Sequence, residues 1–217
     1  MMNETIEDYL KAIYEIQREK GKVATTVLAN RLQIQPASVT GMIKKLSEMK
    51  LLTHERYQGV ILTASGKKIA LEVIRHHRLI ELFLAEALGV PWDRVHEEAE
   101  KWEHVLSEDL EERIDALLGY PTHDPHGAPI PKRNGDVAEH PEMMLADLKA
   151  DQTATVVEVN DHDPELLRYL GSMGLYPNTK FVVLDVAPFD GPIKIKIQDT
   201  EYTLGNKVAR QIYVCRV

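Results

Sequence analysis

Cysteine is almost missing from this chain. Cys215 stands alone among 217 residues, so no internal disulfide can form and no thiolate cluster is available for zinc. No apolar run approaches the 18 or so residues of a transmembrane helix, so no membrane partner is expected. The opening MMNETIEDYL lacks the basic and apolar regions of a signal peptide. There is no internal repeat and no low-complexity tract. A soluble, cytoplasmic protein is the expectation.

Hydrophobic residues make up 44% of the chain, enough to build real cores in two or three small domains. The net charge of −8 argues against a nucleic-acid partner, but it is unevenly spread. Residues 1–70 hold 11 Lys/Arg against 7 Asp/Glu, a balance of +4, and the remainder holds 15 against 27, a balance of −12. A mildly basic N-terminal module on an acidic body fits a DNA-binding domain joined to something else.

The most unusual stretch is Val95-His-Glu-Glu-Ala-Glu-Lys-Trp-Glu-His104. As a helix it sets His96, Glu100, Glu103 and His104 at offsets 0, +4, +7 and +8, on one face. Glu100 and Glu103 repel one another, and a nearby cation removes that penalty. Imidazole and carboxylate donors together suit a divalent first-row metal. The same pattern also describes a solvated acidic helix face.

In chain order, residues 4–18 read as a helix with Ile6, Leu10 and Ile13 on its apolar stripe and Asp8 near the edge. Thr25 or Thr26 can cap a second helix. Pro36 suits the first turn of a third, which buries Val39, Ile43 and Leu46. Two short helices with a tight connection, the second opening on small polar residues and carrying lysines, read as helix-turn-helix. Leu51–Glu55 and Val60–Thr63 follow as a wing hairpin. The expected DNA-contacting set is Thr26, Gln35, Pro36, Ala37, Ser38, Thr40, Lys44 and Lys45, with Arg56 and Gln58 at the wing tip. Lysines meet phosphates, and small residues let the backbone approach base edges. A plain three-helix domain with a hairpin is the structural alternative.

A long helix is predicted from Ser65 to about Leu88. On it His77 and Glu81 form an i, i+4 pair. The 95–104 helix and a leucine-rich one through Leu118 follow, and this region could supply a dimer interface. Pro121–Pro131 cannot be regular helix, and its His123 and His126 could bind metal or be merely solvated. Residues 132–145 look like a joint. Beyond them come predicted strands at Thr153–Val159, Lys180–Val186, Ile193–Ile197, Glu201–Leu204 and Gln211–Val214, with a helix at Glu165–Gly171 and turns at Asp190-Gly191 and Gly205-Asn206. These suggest a small SH3-like barrel. The fold class is therefore α+β: a winged helix-turn-helix (1–70), a helical metal-binding and dimerisation domain (71–140) and an SH3-like domain (146–217).

Several motifs now fall into a familiar order: Glu7–Tyr14, Pro36–Met42, Leu62–Gly66, His77-Arg78, Val95-His96, Trp102–His104 and Pro125–Pro131. Together they resemble the metal-dependent transcriptional repressors of the diphtheria toxin repressor and manganese transport regulator type, across essentially the whole chain. The resemblance implies a homodimer that binds a double-stranded DNA operator, takes part in metal homeostasis, and needs no organic cofactor. It implies two metal sites per subunit. One combines Asp8, Glu100, Glu103 and His104. The other combines His77, Glu81 and His96, completed near Asp163, with Asp161 or His162 as substitutes. The iron-type branch carries Met where this chain has Asp8 and Cys where it has Glu100. Hard oxygen donors in their place suit Mn(II), with Fe(II) as the alternative. Some short manganese regulators carry a Glu where this chain has Lys11, so two separated sites are implied here. A di-metal carboxylate oxidase is the rival from another class. It needs Glu-x-x-His on two helices, whereas Glu103 and His104 are adjacent and the motif has no second copy.

Overall fold

The computed structural model describes residues 3–21, 23–55, 59–139 and 141–217. The chain divides into two compact units: residues 1–76 with 103–106 and 131–136, and residues 77–102 with 107–130 and 137–217.

The first unit opens with α1 (Glu4–Lys20). Ile6, Leu10 and Ile13 recur at helical spacing and are buried. Gly21 adopts the left-handed backbone that closes the helix and bonds Gln17 O through its N–H. Helix α2 (Thr25–Arg31) is capped by neither threonine. Ala24 is the extended residue before it, and Thr25 already lies in the first turn. Helix α3 (Pro36–Glu48) starts at the proline, with Gln35 extended before it as a residue preceding proline prefers to be. Strands β1 (Leu52–Glu55) and β2 (Gly59–Leu62) pair antiparallel with Leu52 opposite Leu62. Leu28, Val39, Leu46, Leu52 and Val60 join the α1 stripe in one core, so this unit contains a winged helix-turn-helix.

Helix α4 (Ala64–Leu88) begins where Thr63 Oγ1 accepts from the Gly66 N–H. Its first turns belong to the first unit and the rest to the second. In the second unit, α5 (Val95–Trp102) and α6 (Glu108–Leu117) follow. The predicted helix through His104 stops two residues early. Ser107 takes an extended backbone to cap α6, accepting the Leu110 N–H, so the chain leaves helical geometry first. Glu103 and His104 therefore lie in a turn, not on the α5 face.

The C-terminal sheet contains β3 (Thr153–Val159), β4 (Lys180–Val186), β5 (Ile193–Ile197), β6 (Thr200–Leu204) and β7 (Ile212–Arg216). Its antiparallel order is β6-β5-β4-β3-β7. Helix α7 (Pro164–Ser172) sends Leu167 and Leu170 into a core with Val156, Phe181, Ile195 and Val214. Where a turn was expected at Gly205-Asn206, Gly205 starts a short helix, α8 (Asn206–Ala209). The loop through residues 121–131 is ordered by its own bonds: Asp124 N–H to Ala128 O (3.0 Å) and Ile130 N–H to Thr122 O (2.9 Å). Val159 N–H on β3 bonds His126 O at 2.9 Å and holds the loop on the sheet. Among the described residues, no helix is long and apolar enough to cross a membrane.

Candidate metal centres and DNA-contacting face

In the first unit, Asp8, Glu103 and His104 bring donor atoms within 4.8 Å of one another. Glu7, Asp8 and Lys11 sit at i, i+1 and i+4 along one edge of α1, beside the buried stripe. His104 Nε2 lies 2.9 Å from Asp8 Oδ1 and 3.5 Å from Glu103 Oε1. Its other nitrogen, Nδ1, meets Glu7 Oε2 at 2.6 Å. Glu103 is 1% exposed. Both its oxygens accept from the Lys11 ammonium, at 2.9 and 2.8 Å. Its backbone carbonyl accepts from His76 Nδ1 at 3.0 Å. Burial disfavours the charged form of His104. The hydrogen bond that His104 donates to Glu7 and the charges of Glu103 and Asp8 outweigh that, so its pKa is raised. Glu7, Lys11 and His76 are contributors that spacing alone did not single out.

The second unit holds two further groups. His77 Nε2 lies 3.0 Å from Glu81 Oε1 and 3.1 Å from His96 Nδ1. His96 Nδ1 is 3.2 Å from the same Glu81 oxygen. The Glu100 carboxylate is 3.8 Å from a nitrogen of each histidine. Glu100 is thus grouped with His77 and His96, whereas the resemblance assigned it with Asp8. It stands one turn beyond His96 on α5, while Glu103 and His104 follow after the helix has ended.

The remaining group is Glu81, Asp124, His126 and Asp161. Glu81 and His126 are fully buried. His126 Nε2 donates to Trp92 O at 2.8 Å, which turns Nδ1 towards Glu81 Oε2, 3.8 Å away. Asp124 Oδ1 accepts the N–H groups of His126 and Ala128. Three buried atoms, Glu81 Oε2, Asp124 Oδ2 and His126 Nδ1, have no hydrogen-bond partner. Arg78 Nε stands 3.6 Å from Asp124 Oδ2, beyond hydrogen-bond reach, and buried donor atoms that converge without hydrogen bonds are what a cation site needs. The electrostatics agree. Burial and the Glu81 charge push the Asp124 carboxyl up to about 7. Burial opposes a charge on His126, but Glu81, Asp124 and Asp161 prevail and push it up to about 10. Glu81 itself is held well below the usual carboxylate range: burial raises it, and His77, His126 and His96 together more than reverse that.

Asp163 is not in this group. It caps α7, accepting the Glu165 and Leu166 N–H groups through Oδ1 at 2.9 and 3.3 Å. Asp161, two residues earlier, is the barrel residue that joins it, and His162 Nδ1 lies 3.3 Å from the Asp161 carboxylate. Asp124 does not stand out in the sequence, where His126 reads as one of two loop histidines. Prolines at 121, 125, 129 and 131 were the available signal, because a stiff loop can present side chains in fixed positions. His123 is exposed.

On the first unit, Thr26, Gln35, Pro36, Ala37, Ser38, Thr40, Lys44 and Lys45 are all exposed, whereas Val39 and Leu46 on the opposite side of α3 are buried. This is the sidedness a recognition helix requires. Arg56 and Gln58 lie outside the described residues.

Residues 1–60 match the model of the N-terminal DNA-binding domain of iron-dependent repressors. Residues 63–132 match the metal-binding and dimerisation domain of the same proteins, and 143–216 match the FeoA domain. The iron-dependent repressor IdeR of Mycobacterium tuberculosis is 32% identical over all of both chains. The HTH-type transcriptional regulator MntR of Shouchella clausii is 38% identical over 55% of this chain and 83% of its own. A solved manganese-dependent transcriptional repressor in complex with manganese is 39% identical, superposes with a TM-score of 0.91, and covers 98% of this chain and 100% of its own. A winged helix-turn-helix, a helical module and an SH3-like sheet define a metal-responsive DNA-binding regulator. The chain belongs to the diphtheria toxin repressor family of metal-dependent, DNA-binding transcriptional repressors.

Proposed function

We propose that this protein is a Mn(II)-activated repressor of metal-uptake genes, acting in the cytoplasm as a homodimer on a double-stranded DNA operator, and that it is not an enzyme. The observation that carries the reading is the Asp8–Glu103–His104 group. It joins a carboxylate of the helix-turn-helix unit's first helix to two donors about 95 residues further on, with no sulfur among them. Hard donors of this kind favour Mn(II). Fe(II) is the second reading, since iron-dependent relatives match the chain along its whole length.

A bound divalent cation supplies the positive charge that these carboxylates otherwise lack. Asp8, Glu103 and His104 then fix α1 against the 103–106 segment. In a dimer, that constraint sets the spacing of the two α3 helices, which must match successive major grooves about 34 Å apart. Exposed Leu110 and Leu117 on α6 offer an apolar face for the dimer. Glu81, Asp124, His126 and Asp161, together with His77, His96 and Glu100, are proposed as the second metal-binding region. Its donors come from α4, α5, the proline-rich loop and the segment before α7. Metal at about 100 times its dissociation constant for the DNA-competent state shifts the balance by about 2.7 kcal/mol per site.

Alanine at Glu103 or His104 is expected to abolish metal-dependent operator binding in fluorescence anisotropy, with the dimer intact by sedimentation. An unchanged metal response in both variants would remove these residues from the switch.

A further inference from the structure

The Asp8–Glu103–His104 group already contains a cation of its own. Lys11 Nζ lies 2.9 and 2.8 Å from the two oxygens of Glu103, a clamp of the whole carboxylate. The pair is sheltered: the Glu103 side chain is fully buried, and that of Lys11 is 12% exposed. The clamp is also rigid at its far end, because His76 fixes the Glu103 backbone through the carbonyl. Glu103 therefore has little freedom to turn towards a new partner while its old one stays in place.

We propose that Lys11 is a tethered competitor of the metal ion for Glu103, and so sets the metal concentration at which the switch responds. This rests on the reading of Asp8, Glu103 and His104 as a metal site. The ammonium and a divalent ion compete for the same two oxygens. Either Lys11 withdraws, giving up a sheltered ion pair, or it stays and repels the incoming cation at short range. Both routes weaken binding without altering a single ligand. The lysine also keeps Glu103 from standing as an uncompensated buried charge when metal is scarce, so the metal-free protein stays folded. A regulator must release its metal when supply falls, and an internal counter-ion meets that need.

The test is Mn(II) titration of the full-length protein, with free Mn(II) read from its aqueous EPR signal. Lys11→Met removes the competitor, and Lys11→Arg keeps the charge. The Met variant is expected to bind Mn(II) at this group about tenfold more tightly than wild type, the equivalent of one sheltered ion pair, with the Arg variant close to wild type. In chelator the Met variant should melt lower than wild type, and added Mn(II) should raise its melting temperature further than it raises that of wild type. Unchanged or weaker Mn(II) affinity in Lys11→Met would overturn the proposal and leave Lys11 as a docking residue only. If the Met variant does not fold in chelator, Lys11→Gln carries the same expectation, since a neutral amide still donates to Glu103. His104→Ala separates the two claims. Loss of one Mn(II) equivalent in that variant, together with no affinity change in Lys11→Met, rejects the competitor alone. An undiminished isotherm in His104→Ala rejects the metal site and the competitor together.

Discussion

Gly127→Ala is a small substitution with a large expected effect. Gly127 has φ +93, and a Cβ built there falls 2.0 Å from the carbonyl oxygen of Val157 on β3. Both sides of the clash are backbone, so no rotamer relieves it. To reach ordinary contact near 3.4 Å, the loop must withdraw from the sheet by about 1.4 Å. That would break the 2.9 Å bond from Val159 N–H to His126 O and carry His126 and Asp124 away from Glu81. The left-handed backbone costs alanine about 1–2 kcal/mol, and the lost hydrogen bond adds about 1. A total of about 2–3 kcal/mol lowers the melting temperature by about 4–12 °C for a protein of this size. Gly119→Ala is the control. Gly119 has φ +74 but nothing within 4 Å of a new Cβ, so only the conformational cost applies. Differential scanning calorimetry and Mn(II) stoichiometry by inductively coupled plasma emission would be run on both variants. Gly127→Ala is expected to lose the larger share of stability and one metal equivalent. Equal melting temperatures and equal metal content in the two variants would show that the close approach of Gly127 to β3 does not position Asp124 and His126.

Three other outcomes are expected. Glu81→Gln neutralises the carboxylate shared by His77, His96 and His126. It should lower metal content by at least one equivalent and cost about 3–5 kcal/mol in chelator, as breaking a buried charged network does. Stability should depend on pH with opposite sign in the two metal states. Asp124 and His126 both have raised pKa values, about 7 and about 10, so their contribution in chelator is largest at low pH and declines from about pH 4 up to about pH 10, including the interval from 6 to 8. Metal binding must displace those protons, so the melting temperature in excess Mn(II) should rise over the same interval. A scan showing the same trend in both states would contradict the assignment. Lys44→Ala and Lys45→Ala should each weaken operator binding across sequences and reduce the salt slope by about 1, read from anisotropy at several ionic strengths.

The strands β3, β4 and β5 were readable to the residue, because alternating Val, Ile, Phe and Lys leave little choice of face. Pro36 announced α3 for an equally local reason. Asp8, Glu103 and His104 were legible as candidate ligands through family resemblance more than through spacing. The single helix face expected over 95–104 ends at Trp102, since Ser107 pulls the chain into extended form and leaves Glu103 and His104 in a turn. Asp163 was displaced by Asp161 because an Asp just before Pro164 is better used as a helix cap. The prolines mark residues 121–131 as a stiff loop, but the direction in which it aims Asp124 and His126 is set where the loop meets β3, some 30 residues further on. The sequence shows that Lys11 cannot be a metal ligand, whereas its hold on Glu103 is a tertiary fact.

Metal at these donors is proposed to control DNA binding. The direct measurement is fluorescence anisotropy of the full-length protein on a labelled fragment of its own upstream DNA, at fixed salt, in chelator, in Mn(II), and in anaerobic Fe(II). Tight, specific binding is expected in metal only, with a lower midpoint for Mn(II) relative to its cellular level than for Fe(II). Equal affinity in chelator and in metal, on DNA shown to hold a specific site, would contradict it.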